Sequence, residues 1–227
     1  MDVWNAGITE PATASVTSVI SDGTNFYITV NDDVANTATI YRMPTAGTTW
    51  VAENSFTTGP LKDVDMYNAT GAYAVGEDGR MYQKVNADSG TERWKLVKSD
   101  LKNTIHAVRF FNEQSGVALV ELQPGIKSLM RTFNAGETWT QVSDDAFNHL
   151  AISANRSHVI AVGNSGKIEV ILPGNTLESV AVASGTTENL TAGWLDNQLD
   201  VNGVPKPHIL VTTASGKIRY TVNGFAV

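Results

Sequence analysis

The chain has 227 residues, 42% of them hydrophobic and 17% charged, and a net charge of −7 at pH 7. That is enough chain to bury a core, but an acidic chain whose 16 basic residues are scattered is a poor match for a protein that grips nucleic acid by releasing counterions. It has no cysteine, which excludes a disulfide framework, a thiolate metal site and a cysteine nucleophile.

From Met1 the chain runs straight into Asp2-Val3-Trp4-Asn5-Ala6-Gly7, with neither a basic n-region nor an apolar h-region. No signal peptide is expected there. No run approaches the ~18 apolar residues of a membrane-spanning helix, so the expectation is synthesis in the cytoplasm without membrane insertion. Trp4 also starts a period: Trp50, Trp94 and Trp139 follow at intervals of about 45 residues. A second marker keeps step with it. Gly76 in AVGEDGRMY, Gly163 in AVGNSGKIE and Thr213 in VTTASGKIR occupy one position of the repeat, and the same offset falls on Asn31 and Glu121.

Each period reads as four short strands. In the second, KDVDMYN, GAYAVGE, GRMYQKV and RWKLVKS alternate or run apolar and are separated by turn residues. EDGR and NSGK carry the chemistry of tight hairpins, where glycine takes a positive φ without steric cost. DNQLDVNGVPKP, residues 196–207, reads as a loop inserted between two strands of the fifth period. Four antiparallel strands in roughly 40–45 residues define a β-propeller blade. The expected fold is therefore all-β: a five-bladed β-propeller in one domain, with units near 12–55, 60–99, 101–143, 146–184 and 185–227. The last unit runs out of chain before its fourth strand, whereas residues 1–10 hold a strand with Trp4 on the period. The N-terminal strand is expected to join the C-terminal blade, closing the ring and hiding a sheet edge.

Thr132-Phe133-Asn134-Ala135-Gly136-Glu137-Thr138-Trp139 resembles the Asp-box of bacterial-neuraminidase-type repeats, Ser/Thr-x-Asp-x-Gly-x-Thr-Trp, with Asn134 at the Asp position. Thr45-x-Gly47-x-Thr49-Trp50 is a weaker copy, and Asp88-x-Gly90 has one extra residue before Trp94. The fourth unit carries PGNTLESVAV in place of a box. The AVG-x-x-G-x-I strands are similar to those of photosystem assembly-factor-like propellers. The resemblance implies a structural hairpin between third and fourth strands, in which the acid bonds turn N–H groups and the tryptophan packs into the sheet core. Asn134 can make the same local bonds.

Sialidases share the box. By that resemblance they need an arginine triad, a Tyr/Glu pair and an acid, yet none of Arg42, Arg80, Arg93, Arg109, Arg131, Arg156 and Arg219 sits in the family's N-terminal arginine motif. A glycosidase would need carboxylates converging on the channel. Asp63, Asp65 and Glu121 are the candidates, and alternation along an innermost strand is the plain alternative. His106, His149, His158 and His208 lack metal-ligand spacing. Gly163–Lys167 lacks the spacing and the helix of a phosphate loop. No cofactor is expected. Adjacent Phe110 and Phe111 require both faces of their strand to be covered.

Trp194 stands off the tryptophan period, on the connection before the 196–207 loop. With Asp196, Asn197, Asp200 and Asn202 it is the candidate contact surface. The expected function is a non-enzymatic protein–protein assembly module, such as a structural component of a bacteriophage virion, whose partners are other protein subunits. A lectin-like propeller that binds a glycan is the alternative, and a glycosidase a distant third.

Overall fold

The computed structural model describes residues 14–57, 59–85, 93–198 and 206–221. The chain divides into two compact units, Met1–His106 and Ala107–Val227. The first unit holds two four-stranded meanders. One runs β1 (Ala14–Ser21), β2 (Asn25–Asp32), β3 (Thr37–Pro44) and β4 (Val51–Phe56); the other runs β5 (Leu61–Met66), β6 (Ala72–Gly76), β7 (Met81–Lys84) and β8 (Trp94–Leu96). A third meander begins at the junction and belongs to the second unit: β9 (Ile105–Phe110), β10 (Gly116–Gln123), β11 (Ile126–Thr132) and β12 (Thr140–Ser143). The fourth is β13 (Phe147–Ile152), β14 (Val159–Gly163), β15 (Ile168–Ile171) and β16 (Ser179–Ala181). The fifth sheet has three described strands, β17 (Leu190–Leu195), β18 (Ile209–Thr213) and β19 (Ile218–Tyr220). The N-terminal strand expected to complete it lies outside the described residues.

In the second and fourth sheets the second strand is covered on both faces. Every residue of β6 (Ala-Tyr-Ala-Val-Gly) and β14 (Val-Ile-Ala-Val-Gly) is buried, which is why these strands run apolar instead of alternating. Phe110 and Phe111 are both buried, as their adjacency requires.

A register shift between first and second strands recurs at Leu61/Asp63, Phe147/His149 and Leu190/Ala192, opposite Gly76, Gly163 and Thr213. The repeat marker therefore coincides with a β-bulge, a place where a strand bends. In the first sheet the shift at Val16/Ser18 falls opposite Val30. The structural counterpart of Gly76 is thus Val30, not Asn31, because β2 continues two residues past its bulge. Asn31 has a different task. Its Oδ1 accepts from Leu61 N at 2.9 Å and its Nδ2 donates to Leu61 O at 2.7 Å, tying the first sheet to the second.

The two hairpins read from EDGR and NSGK are two-residue turns. Asp78 and Gly79 have φ of 55° and 68°, Ser165 and Gly166 of 54° and 73°, the positive-φ pair that matches strand twist. A Cβ on Gly79 would lie 2.1 Å from Leu101 O, and one on Gly166 1.9 Å from Thr186 O. Both glycines thus serve conformation and close approach at once. The related Ala-Ser-Gly-Lys at 214–217 has the same length, with Thr213 N donating to Lys217 O as Gly163 N does to Lys167 O, but its turn is closed by Gly216 N donating to Thr213 O, and only Gly216 in it takes a positive φ.

Neighbouring sheets share cores. In the first unit Tyr27, Ile40 and Phe56 pack with Leu61, Val64 and Trp94. In the second, Phe111, Leu119 and Leu129 pack with Phe147, Leu150 and Val159, while Ile160 and Val162 pack with Leu195, Ile209 and Val211. Among the described residues no helix is long and apolar enough to cross a membrane.

Candidate interaction surface

The periodic tryptophans serve three different local structures. In the 132–139 turn, Asn134 Oδ1 accepts from Thr138 N and from Thr132 Oγ1, each at 3.0 Å, and Asn134 Nδ2 donates to Thr138 Oγ1 at 3.0 Å. Thr132 Oγ1 accepts from Gly136 N at 3.0 Å. Ala135 and Gly136 take φ of 59° and 86° to bring these groups together. Trp139 is buried, donates its indole N–H to Gly136 O at 3.0 Å and meets Phe110 edge-on at 6.2 Å. Trp94 is buried too, but its indole N–H reaches Glu53 Oε2 at 3.1 Å on the preceding sheet. Glu53 is also paired with Arg42 at 3.0 Å and Arg93 at 3.2 Å. Trp50 departs from the expected core packing: it is only half-buried. Gly47 donates to Pro44 O at 2.7 Å and is not at positive φ, so Thr45–Trp50 forms a different turn from Thr132–Trp139. Trp4 and Gly90 lie outside the described residues.

Exposed apolar side chains occur on several sheets, Val16, Val19 and Val51 on the first and Leu96 on the second among them, and the fifth carries four, Trp194, Leu210, Ile218 and Tyr220. Trp194 lies within β17, paired with Leu210, and not on the connection where sequence placed it. The strand runs to Leu195 because Asp196 binds the far end of the loop. Its Oδ1 accepts from Gln198 N at 3.1 Å and His208 N at 2.8 Å, and its Oδ2 lies 2.9 Å from His208 Nδ1. Burial pushes this carboxyl upward, but the donors from His208 and Gln198 outweigh it and hold it below the usual range. Asn197 Oδ1 accepts from Asn155 N at 3.4 Å, on the turn of the fourth sheet. Asp196 and Asn197 thus brace the loop, while Trp194 is presented to solvent. Asp200 and Asn202 lie outside the described residues.

Register extends the row that Trp194 begins. Trp194 pairs with Leu210 and Leu210 with Tyr220; on the same face Ala192 pairs with Thr212 and Thr212 with Ile218. Trp194, Leu210, Ile218 and Tyr220 are 57%, 38%, 64% and 70% exposed. Sequence reading missed the last three. The signal was period-two alternation, which sets Leu210 on the face opposite Ile209 and Val211 and puts Ile218 and Tyr220 together opposite Arg219.

The carboxylates named as catalytic candidates have local partners. Ser18 Oγ donates to Asp63 Oδ1 at 2.8 Å, and Gly125 N donates to Glu121 Oε1 at 2.8 Å. Asp65 is buried. Among the described residues no three His, Asp or Glu side chains are grouped to hold a metal ion.

Arg131 is the unusual cation. It is buried between the rings of Phe111 and Phe133, 4.7 Å and 4.9 Å away. Its Nη2 donates to Ser115 Oγ, Leu172 O and Gly174 O, whereas Nε and Nη1 have no partner among the described residues. Burial alone pushes its pKa down to about 10.

Another repeat went unread. Asp22, Asn68 and Asn112 each close the first turn of a sheet, accepting from backbone N–H groups two and three residues on. Asp196 begins the same pattern with Gln198. These are Asx-turns, in step with the tryptophans.

No protein-family model matches the chain, and no curated protein matches it. Solved structures do. YCF48 bound to D1 peptide is similar over 94% of this chain, with a TM-score of 0.61 and 18% identity; the chain spans 65% of that protein's length. A chain of the nidogen/laminin complex is similar over 95% of this chain and 81% of its own, with a TM-score of 0.60 and 11% identity. At such identities it is the fold that is shared: the five sheets are those of a β-propeller.

Proposed function

We propose that the chain is a non-enzymatic protein-interaction and assembly module that docks through the fifth-sheet face carrying Trp194, Leu210, Ile218 and Tyr220. The observation that carries this reading is the apolar row itself, uncovered among the described residues. From the four exposures the row offers roughly 500 Å², near the upper end of what a monomer leaves uncovered without a partner. The two similar structures, YCF48 bound to D1 peptide and the nidogen/laminin complex, are complexes with a peptide or a protein. The 132–139 turn is read as an Asp-box-type structural hairpin in a five-bladed arrangement, because its polar atoms are occupied by one another. In the finer reading the module is a subunit of a large particle such as a bacteriophage virion, which the low charge and the Thr- and Asn-rich composition suit.

The test is capture from an extract of the producing cells on immobilised chain, quantified by mass spectrometry, beside a glycan array. Proteins held by the wild type and lost with Trp194→Ala support the module. Sugar-competable binding on the array, with no protein held, refutes it.

A further inference from the structure

Between the two sheets of the first unit lies a polar cluster in which one cation has no counter-ion. Lys84, at the end of β7, is half-buried. Its Nζ donates to Tyr27 Oη at 2.6 Å and lies 4.0 Å from the centre of the same ring. Among the described residues it forms no ion pair. The two carboxylates of the cluster are already occupied. Glu53, whose side chain is 2% exposed, takes Arg42 at 3.0 Å, Arg93 at 3.2 Å and the Trp94 indole N–H at 3.1 Å. Asp22 Oδ2 accepts from Tyr27 Oη at 2.9 Å and from Asn25 Nδ2 at 3.1 Å, and its Oδ1 accepts from Thr24 N at 2.7 Å. Burial and the bond to Asp22 hold the Tyr27 hydroxyl protonated, with its pKa above the ordinary phenol value. Tyr27 therefore offers Lys84 a lone pair and not a negative charge.

We propose that Lys84 is a covalent site for small aldehydes, which its amine takes up as an imine. A lysine that is partly desolvated and set beside other cations gives up its proton more readily than an exposed one, and the neutral amine is the nucleophile. Burial is the largest influence on Lys84; Glu53 and Asp22 draw its pKa upward, Arg42 and Arg93 push it down, and the net direction is down. The neutral Nζ gives its lone pair to the carbonyl carbon, forming the C–N bond while the C=O π pair moves to oxygen. One Nζ proton passes to that oxygen. The second leaves with it as water, and the imine remains. No oxidant or reductant is consumed. Tyr27 Oη, hydrogen-bonded to the amine, fixes its position.

The test is reductive methylation of the folded full chain with formaldehyde and cyanoborohydride, whose hydride traps each imine as it forms. Peptide mass spectrometry reads the rate at each lysine from about pH 7 to 10.5, the range over which an ordinary lysine begins to lose its proton. Lys95, Lys98 and Lys102, all exposed, are the comparators. Lys84 should lead them about threefold at pH 7, the effect of half a unit in pKa, and lose that lead near pH ~10.5 as they deprotonate. Arg93→Gln removes a repelling cation and leaves Glu53 with one guanidinium fewer. Both changes keep the ammonium charged, so Lys84 should slow about threefold at pH 7 while the comparators hold their rates. A Lys84 that trails the comparators at pH 7, or whose rate rises with pH in parallel with theirs, overturns the proposal. So does a lead that Arg93→Gln leaves intact. The wild-type profile needs no substitution and can overturn the proposal on its own.

Discussion

Replacing Gly166 with alanine separates two demands that the hairpin turn makes. Gly166 sits at φ 73°, where an L-residue is strained by about 1–2 kcal/mol. The added methyl would also meet Thr186 O at 1.9 Å and Ser184 Oγ at 2.7 Å. Gly216, at φ 80°, carries the first demand without the second, since no described atom lies within 4 Å of its Cβ position. Alanine restricts the unfolded chain and returns roughly 0.5–1 kcal/mol. Gly216→Ala should therefore destabilise by about 1 kcal/mol. Gly166→Ala adds the displacement of a backbone carbonyl, an overpacking term of about 1–3 kcal/mol, for a total of about 2–4 kcal/mol. Urea unfolding measures both; with m near 2 kcal/mol/M the Gly166→Ala midpoint falls by about 1–2 M. Gly79→Ala, with Leu101 O at 2.1 Å, should behave like Gly166→Ala. Equal losses at Gly166 and Gly216 would refute the close-approach argument.

Other substitutions separate structural from presented residues. Trp139→Ala should lose about 3–5 kcal/mol in the same assay, and Trp194→Ala less than about 0.5 kcal/mol; comparable losses would contradict the burial contrast. Arg131→Met, which keeps the stem between Phe111 and Phe133 but removes a buried charge with two unpartnered nitrogens, should leave stability unchanged or raise it. Ser165→Gly should stabilise by about 1 kcal/mol, because Ser165 holds φ 54°, and a loss of stability would show that its side chain does more than tolerate the turn. Burial holds the His158 imidazole below its ordinary pKa, so the fold prefers the neutral ring. Its contribution is complete above pH ~6.5 and is lost as pH falls below that value; His158→Gln should flatten the stability change between about pH 8 and 5. Glu188 is drawn down to about 2 by hydrogen bonds from Lys217 and Ser215. Its contribution is present above the usual carboxylate range and is lost as pH falls towards about 2, a loss that Lys217→Met should diminish.

The repeat was legible because tryptophans, glycines and turn residues recur at fixed intervals, and each answers a local backbone requirement. Asp78-Gly79 and Ser165-Gly166 can be read as hairpins from two residues alone. What could not be read depended on neighbours distant in sequence. The bulge that moves the marker from Asn31 to Val30 is a property of the β1–β2 pair. Trp50 and Trp139 follow similar strings, yet only the second is buried, because burial is set by the turn conformation and by Phe110. Trp194 was singled out for being off the period, but Leu210, Ile218 and Tyr220 join it only through cross-strand register. Arg131 gave no signal, since its setting comes from Phe111, Phe133 and the carbonyls of Leu172 and Gly174.

The most direct test of the central claim is the size of the native species. The chain, at 24.3 kDa, is followed by size-exclusion chromatography of fresh extract from the cells that make it, alongside Leu210→Lys/Tyr220→Lys. The account predicts that the wild type elutes well above its monomer mass and the variant at it. Identical elution of the two, whether large or monomeric, would contradict docking through the fifth sheet.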